Sequence, residues 1–393
     1  MYPPHHLGGY EITWRSSVEQ LRAAGHEVSV LTTDFRRAGV EEGDEPGVHR
    51  ELRWYWHEHR FPRIGLRARI ALERHNAGVL GRQLDNARPD AVCWWAMGGM
   101  SLGLIELVRR RGLPAVGVVG DDWMAYGPKV DAWHRVAARR PLGGPLARAA
   151  GLPATVELSR SALWLFNSER TRAAALELGL DPRAARVANP GIDTGLFRPA
   201  RPRPWGWRLA CVGRIDPRKG LELAVDALAE LPEAVLRIAG AGDDGHASEL
   251  LERAHRLGVH DRLELREAPR DQVADVYGAA DAVLFPVLWP EPWGLTPLEA
   301  MACGRPVVAS GRGGSAEYLR DGENCLIADP EAGGGALARA LERLAGDEAL
   351  RGRLRAGGLA TAGRFSEGDY NRRIEAALEE VAERAPATAR GRS

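Results

Sequence analysis

Short apolar runs alternate along the chain with segments of helical pattern. In the first half the runs are "EVSVLTT" (27–33), "DAVCWW" (90–95), "PAVGVV" (114–119) and "ALWLFN" (162–167). In the second half they are "RLACVG" (208–213), "AVLRIAG" (234–240), "RLELR" (262–266), "AVLFP" (282–286), "PVVAS" (306–310) and "CLIAD" (325–329). Strand-length runs separated by helical segments predict an α/β fold, with parallel sheets covered by helices. The second-half runs are apolar throughout instead of alternating, as strands buried on both faces require. The alternation stops at "NPGIDTGLFRPARPRPWG" (189–206), a proline-rich stretch without helical periodicity. It predicts a linker between a first domain over 1–188 and a second over 207–365. Helical patterns at 332–346, 348–363 and 368–385 follow the last run, and the polar end, 386–393, is predicted to be disordered. No repeat of fixed period is present, so the halves are two similar architectures and not two copies of one sequence.

Composition narrows the function classes. The 393 residues are enough for two domains, and with 45% hydrophobic residues each can build a core. Acidic and basic residues balance at 53 each, which gives no support for nucleic-acid binding. Four cysteines without a CxxC spacing read as reduced buried thiols of a cytoplasmic protein, and no apolar run is long enough to cross a membrane. Nothing at the N-terminus reads as a signal peptide. Only Lys129 and Lys219 are lysine; the other 51 basic residues (53 less 2) are arginine, a bias of base composition that lends weight to a lysine inside a motif.

Three stretches carry candidate chemistry. In "PEPWGLTPLEAMACGRPVVAS" (290–310), Glu291 and Glu299 lie eight positions apart around a Trp-Gly turn that follows a strand and opens a helix. The carboxyl ends of parallel strands are where open α/β sheets bind ligands, and a helix N-terminus favours an anion. The helix begins near Gly294–Pro297, so its free N–H groups point back into the crevice at those strand ends, and Glu299 can accept hydrogen bonds from two ribose hydroxyls. The other reading of Glu299 is a capping box with Thr296, proline standing at the first helical position; Glu291 alone reads equally as a solvated loop acid. In "CVGRIDPRKGLELAVDAL" (211–228), a strand ends at Gly213, with Arg214 and Lys219 before the next helix. A guanidinium and an ammonium there suit a diphosphate, against two solvated loop cations as the alternative. In the first domain, Gly8 and Gly9 precede a helix and can cradle a phosphate. Asp121 and Asp122 follow a strand, one of them as a catalytic or metal-binding acid, or both as turn-capping residues. His5 and His6, without further clustered ligands, do not make a metal site.

Taken together and in this order, these motifs resemble the retaining glycosyltransferases of family 4, with the GT-B fold. The likeness covers nearly the whole chain. Glu291 and Glu299 around "PWGLTPLEAMACGRPVVA" match that family's glutamate–seven–glutamate signature, and "VGRIDPRKG" resembles its phosphate loop. "FNSERTR" (166–172), "NPGIDTGLFRP" (189–199) and "GRGGSAEYLRDGENCLI" (311–327) resemble further family segments. The resemblance implies two Rossmann-like doubly wound domains facing each other across a cleft, with a helix at 366–385 crossing back to the first domain. It implies transfer of a hexose from a nucleotide-sugar donor to an acceptor with retention of configuration. Arg214 and Lys219 would stabilise the leaving diphosphate, Glu291 would hold the donor sugar and Glu299 the ribose. Gly213, Gly294, Leu295 and Thr296 would line the donor, Ala268 would lie near the nucleobase, and Gly8 and Gly9 would approach the phosphates. Front-face attack assisted by the leaving phosphate needs neither a metal nor a cofactor. The acceptor, whether lipid-linked, a glycan or a small molecule, is left open.

Two departures from the family pattern stand out. Asp121 occupies the place where the family commonly has a histidine, which bears on acceptor-side chemistry. The chain also begins at Met1-Tyr2-Pro3-Pro4, already in the loop before the first helix, where a doubly wound domain normally has a buried strand. The expectation is that the natural chain starts about 8–12 residues earlier with a strand-length apolar segment, and that the first domain as given lacks a central strand. A sugar-nucleotide epimerase of the same architecture and a non-catalytic nucleotide-sugar-binding homologue are the competing functions. A final expectation is peripheral contact with the inner face of a membrane through "RFPRIGLRARIALERHN" (60–76). It carries five arginines among Ile64, Leu66, Ile70 and Leu72; the alternative is a solvated helix face.

Overall fold

A computed structural model describes residues 1–6, 8–37, 39–40, 45–56, 61–138, 143–242 and 244–384. The chain divides into two units, 1–188 with 371–393, and 189–370. Twelve strands occur among the described residues: β1 (Val30–Thr33), β2 (Val48–Leu52), β3 (Val92–Trp95), β4 (Ala115–Val119), β5 (Leu163–Phe166) and β6 (Ala185–Val187) in the first unit. In the second are β7 (Arg208–Val212), β8 (Val235–Ala239), β9 (Leu263–Arg266), β10 (Ala282–Phe285), β11 (Val307–Ala309) and β12 (Leu326–Ile327).

The second unit is one six-stranded sheet in the order β12-β11-β10-β7-β8-β9, every pair parallel. The chain runs outward from β7 through β8 to β9, then returns to the other side of β7 and runs outward again from β10. The reversal lies between β7 and β10, and at such a point the connections leave in opposite directions and open a crevice at the strands' carboxyl ends. The apolar character of these strands has its cause in the two faces they cover. Along β10, Ala282 and Leu284 pack into one cluster with Leu228, Leu236 and Leu341, while Val283 and Phe285 pack into another with Tyr277, Trp293 and Leu298. In β10 a period of two with both faces under helices leaves no position for a polar residue. The segment 189–206 is fastened to this unit: Trp293 donates to Pro190 O (3.0 Å), and Asp281 accepts from Gly206 N (3.0 Å) and from the Arg208 guanidinium (2.8 Å).

The first unit holds two separate parallel sheets, β1-β2 and β3-β4-β5-β6. Among the described residues no strand precedes its first helix, Gly9–Ala23, and no strand joins the two sheets. Tyr2 is fully buried against Trp14, and the Arg50 guanidinium donates to Tyr2 O and Pro3 O at 2.9 and 2.8 Å. The final helix, Glu367–Arg384, has its residues from Asn371 onward in this unit, held by Ser17 donating to Asn371 (2.6 Å) and by a two-pronged Arg186–Glu380 pair (2.7 Å each). The expected disordered tail, 386–393, lies outside the described residues. All four cysteines are unpaired; Cys211, Cys303 and Cys325 are buried and Cys93 is partly so.

Candidate functional site

The loops after β7 and β10 meet at the reversal point of the second sheet. After β7 the chain turns at Gly213 (φ 139°), passes Arg214, and enters a short 3-10 turn, Pro217–Lys219. Asp216 caps that turn by accepting from Arg218 N (3.0 Å). Its hydrogen bonds from the Arg218 side chain hold its carboxyl well below the usual range. Gly220 follows in the left-handed region (φ 64°), and a β-carbon there would stand 2.1 Å from Pro286 O. Only glycine lets the two loops approach so closely. They are joined by Leu288 N donating to Arg218 O (2.9 Å), and the Arg218 guanidinium lies 4.5 Å over the Trp289 ring.

This approach brings Lys219 to Glu291. The ammonium donates to Glu291 Oε2 at 2.8 Å, and the Trp289 indole N–H donates to the same oxygen at 2.8 Å. The pair is largely shielded, with 19% and 13% of the two side chains exposed, so neither the solvated loop cation nor the solvated loop acid describes it. Arg214 is 38% exposed, and the Asp216 carboxylate stands 4.0 Å away. It presents a guanidinium at the carboxyl end of β7 with no ion pair shorter than 4.0 Å among the described residues.

The helix Leu295–Ala302 starts beside these cations. Gly294 (φ 88°) stands at its cap and supplies no side chain, and Pro297 lacks an N–H. The first N–H groups of the helix thus have no side-chain cap, the arrangement that receives an anion. Thr296 Oγ1 donates to Val212 O (3.2 Å) and pins the helix start to the end of β7. Glu299 is not the capping-box partner: with Gly294 at the cap it is the fifth helical residue, and the helix start receives no side-chain cap. Oε1 accepts from Arg270 (2.5 Å) and Oε2 from Tyr277 (2.8 Å), and the residue is 3% exposed. Burial opposes the Arg270 charge, but the facing Glu299 carboxylate raises the guanidinium's pKa on balance. Ala268, just past β9, is half-buried and packs against the cluster containing Tyr277, two residues ahead of Arg270; Glu267 is exposed.

The remaining candidates lie in the first unit. Gly8 caps the helix Gly9–Ala23, and its N–H donates to the Glu11 carboxylate (3.1 Å), so that group is engaged within the chain; Gly9 has open space around it. Asp121 behaves as a turn-capping residue, accepting from Trp123 N (3.1 Å) and Tyr126 OH (2.7 Å), and burial pushes its carboxyl up. Asp122 pairs with Arg170 at 2.8 Å. His5 is buried and its Nδ1 accepts from Arg37 N (3.1 Å). In 61–76, Ile64, Ile70 and Leu72 are partly buried and pack against the cluster of Tyr55 and Trp133. Arg69 and Arg74 donate to the carbonyls of Ile64 and Ala150; Phe61, Arg63, Leu66 and Arg67 are exposed, and Arg60 lies outside the described residues. No helix among the described residues is long and apolar enough to cross a membrane.

The sequence motifs missed Trp289, Arg270 and Tyr277. Each acts through a loop contact or a partner 22 to 29 positions away, and Tyr277 shares a buried helix face with Val273 and Val276, which reads as core.

Comparison with known proteins agrees with this layout. Residues 203–359 match the family model described as "Glycosyl transferases group 1", and residues 7–196 match that described as "Glycosyltransferase Family 4". A D-inositol 3-phosphate glycosyltransferase of Segniliparus rotundus is 39% identical over 202 residues, covering 47% of this chain and 44% of that protein. The chain thus spans about half the length of the curated relatives it matches. Among solved structures, sucrose-phosphate synthase from Thermosynechococcus elongatus superposes with a TM-score of 0.70 at 21% identity, over 96% of each chain. Anabaena HepE in complex with UDP-glucose does so at 0.62 and 22% identity, over 77% of this chain and 82% of that one. With two parallel α/β units, a paired-glutamate segment at the sheet reversal and both family models matching in order, this chain belongs to the group 1 glycosyltransferases of the GT-B fold.

Proposed function

We propose that this protein transfers a hexose from a nucleoside-diphosphate sugar to an acceptor, with retention of anomeric configuration. The observation that carries the reading is the Lys219–Glu291 pair at the reversal point, 2.8 Å across, beside a helix N-terminus that has no side-chain cap. Breaking the bond between the anomeric carbon and the diphosphate oxygen places negative charge on the departing phosphate. Catalysis then needs positive charge already fixed where that charge develops. Arg214 grips the diphosphate with its planar fork, the N–H groups of Leu295 and Thr296 receive a second oxygen, and Lys219 delivers a point charge to the leaving oxygen. Gly213 and Gly294 let the backbone come close. Both hydrogen bonds to Glu291 fall on Oε2, which leaves Oε1 to accept from a sugar hydroxyl. Glu299 accepts from the ribose, and Ala268 borders the base.

The acceptor attacks from the face the diphosphate leaves, and a phosphate oxygen takes its proton. No protein nucleophile is formed, and the cations at the site supply the charge stabilisation that a divalent ion supplies elsewhere, so the reading requires neither metal nor cofactor. The acceptor is open. The curated relatives are named for an inositol phosphate, and a polyol phosphate therefore belongs in any acceptor screen beside lipid-linked and glycan acceptors. A cytoplasmic location is part of the same proposal, since nucleotide sugars are its substrates.

The test is incubation of the full chain with UDP-, GDP-, ADP- and dTDP-sugars. Release of nucleoside diphosphate with one of them supports transfer. Interconversion of the sugar with the diphosphate intact supports an epimerase, and binding without turnover supports a non-catalytic homologue.

A further inference from the structure

Glu299 is held more elaborately than an acceptor of ribose hydroxyls requires. The residue is only 3% exposed, and each carboxylate oxygen already takes one hydrogen bond, Oε1 from Arg270 and Oε2 from Tyr277. Neither donor is itself loose. The Tyr277 side chain is fully buried, and the Arg270 guanidinium rests 4.8 Å over the Phe197 ring, which in turn lies 5.9 Å from the Tyr277 ring. The three side chains thus form a closed frame around one carboxylate: an ion pair on one oxygen, a phenol on the other, and an aromatic ring beneath the cation.

We propose that Arg270 and Tyr277 are positioning residues that fix the Glu299 carboxylate as a two-oxygen acceptor for a cis-diol, and so restrict the donor to ribonucleotides over 2′-deoxyribonucleotides. This rests on the reading of Glu299 as the ribose ligand. An ionised carboxylate has about four lone-pair directions, two on each oxygen. With one on each oxygen used by a rigid donor, one on each remains, and the rotation that would let the carboxylate adapt to a single hydroxyl is blocked. A ribose fills both with its 2′- and 3′-hydroxyls. A 2′-deoxyribose fills one and leaves the other oxygen of a buried charge short of a donor. Sites built to hydrogen-bond a hydroxyl reject the analogue lacking it because the buried partner is left unpaired. The donors then come from the UDP, GDP or ADP series and not from dTDP-sugars.

Calorimetric titration of the full chain with UDP, GDP and ADP, each beside its 2′-deoxy counterpart, reads the proposal directly. For the nucleotide that binds, the wild type is expected to prefer the ribo form by about 10- to 100-fold, the range of one hydrogen bond to a charged group. Tyr277→Phe keeps the ring and its packing and removes only the donor. It should lower affinity for the ribo form and leave the 2′-deoxy affinity nearly unchanged, so that the preference shrinks to a few-fold. Arg270→Met should act in the same direction, and Arg270→Lys, which retains one donor, should restore part of the preference. Equal losses for both nucleotides, with the preference intact in Tyr277→Phe, would show that the frame serves packing alone and would overturn the proposal. A wild type that binds ribo and 2′-deoxy forms alike would instead remove Glu299 from the ribose. Binding of none of the six would remove the nucleotide-sugar reading beneath both.

Discussion

Replacing Lys219 by methionine removes one positive charge and keeps most of the side chain's volume. In the ligand-free protein the change costs a single ion pair with Glu291, shielded but not fully enclosed at 19% and 13% exposure. Glu291 retains its hydrogen bond from the Trp289 indole, so it is not left without a partner. The stability cost should be about 1 kcal/mol, the size of a modest polar interaction, which shifts the melting temperature of a unit this size by about 2–4 °C. The catalytic cost is much larger, because the leaving diphosphate gains charge only in the transition state. Loss of one fixed donor at such a position lowers kcat by about 10²–10³, or about 2.7–4 kcal/mol. Donor affinity should change less than kcat, since Arg214 and the helix start still hold the diphosphate. The assay is steady-state release of nucleoside diphosphate by wild type and Lys219→Met, with thermal melts and donor titrations on the same preparations. A variant whose turnover stays within threefold of wild type would refute the role of Lys219. A variant that loses turnover only because it has unfolded would show in the melt.

Arg214→Lys should fail to restore wild-type diphosphate affinity, because the two-pronged contact is lost although the charge remains; a titration with the nucleoside diphosphate decides it. Glu299→Gln should lower the melting temperature, because the buried charge that faces Arg270 is lost, and should weaken the donor by about tenfold or more in protein that is still folded; unchanged affinity would sink the ribose assignment. In the first unit, burial first and the Asp131 carboxylate second push Glu73 up to about 8. The folded protein keeps a proton there that the unfolded chain releases above about 4.5. The stabilisation is therefore complete below that value and lost as pH rises through about 8, so Glu73→Gln, which still accepts from Tyr55 (2.6 Å in the wild type), should flatten the fall in urea midpoint between pH 5 and 9. Finally, the part of 60–76 left to meet an anionic lipid surface is Phe61, Arg63, Leu66 and Arg67. Co-sedimentation with anionic vesicles should be salt-sensitive and lost in Arg63→Glu/Arg67→Glu, and no wild-type binding would remove the contact.

The second unit was legible because its strands are short and, in β10 and β11, wholly apolar, and burial on both faces is what makes those two so. β10 and β11 could not be anything but interior strands with these helices around them. β2 escaped because "VHREL" pairs only with β1 and buries just Leu52 fully, so it lacks the apolar signal. β6, "ARV", is three residues on an edge. At the site, Lys219 and Glu291 stood out through their places in the loops, yet nothing in the sequence says that they touch; 72 positions separate them, and the contact exists because Gly220 lets the two loops close. The capping-box pattern at Thr296–Glu299 misled because it is a local rule. A long-range ion pair with Arg270 and a buried phenol outcompeted a bond of the same carboxylate to the helix start.

The measurement that bears most directly on the account is the fate of the anomeric carbon. Incubation of the full chain with the nucleotide sugar it binds, followed by proton NMR of the sugar, should show nucleoside diphosphate released and the anomeric configuration of the donor kept in the product, with the rate falling about 10²–10³ in Lys219→Met. Inverted configuration in the product, or a sugar altered while still attached to its diphosphate, would contradict it.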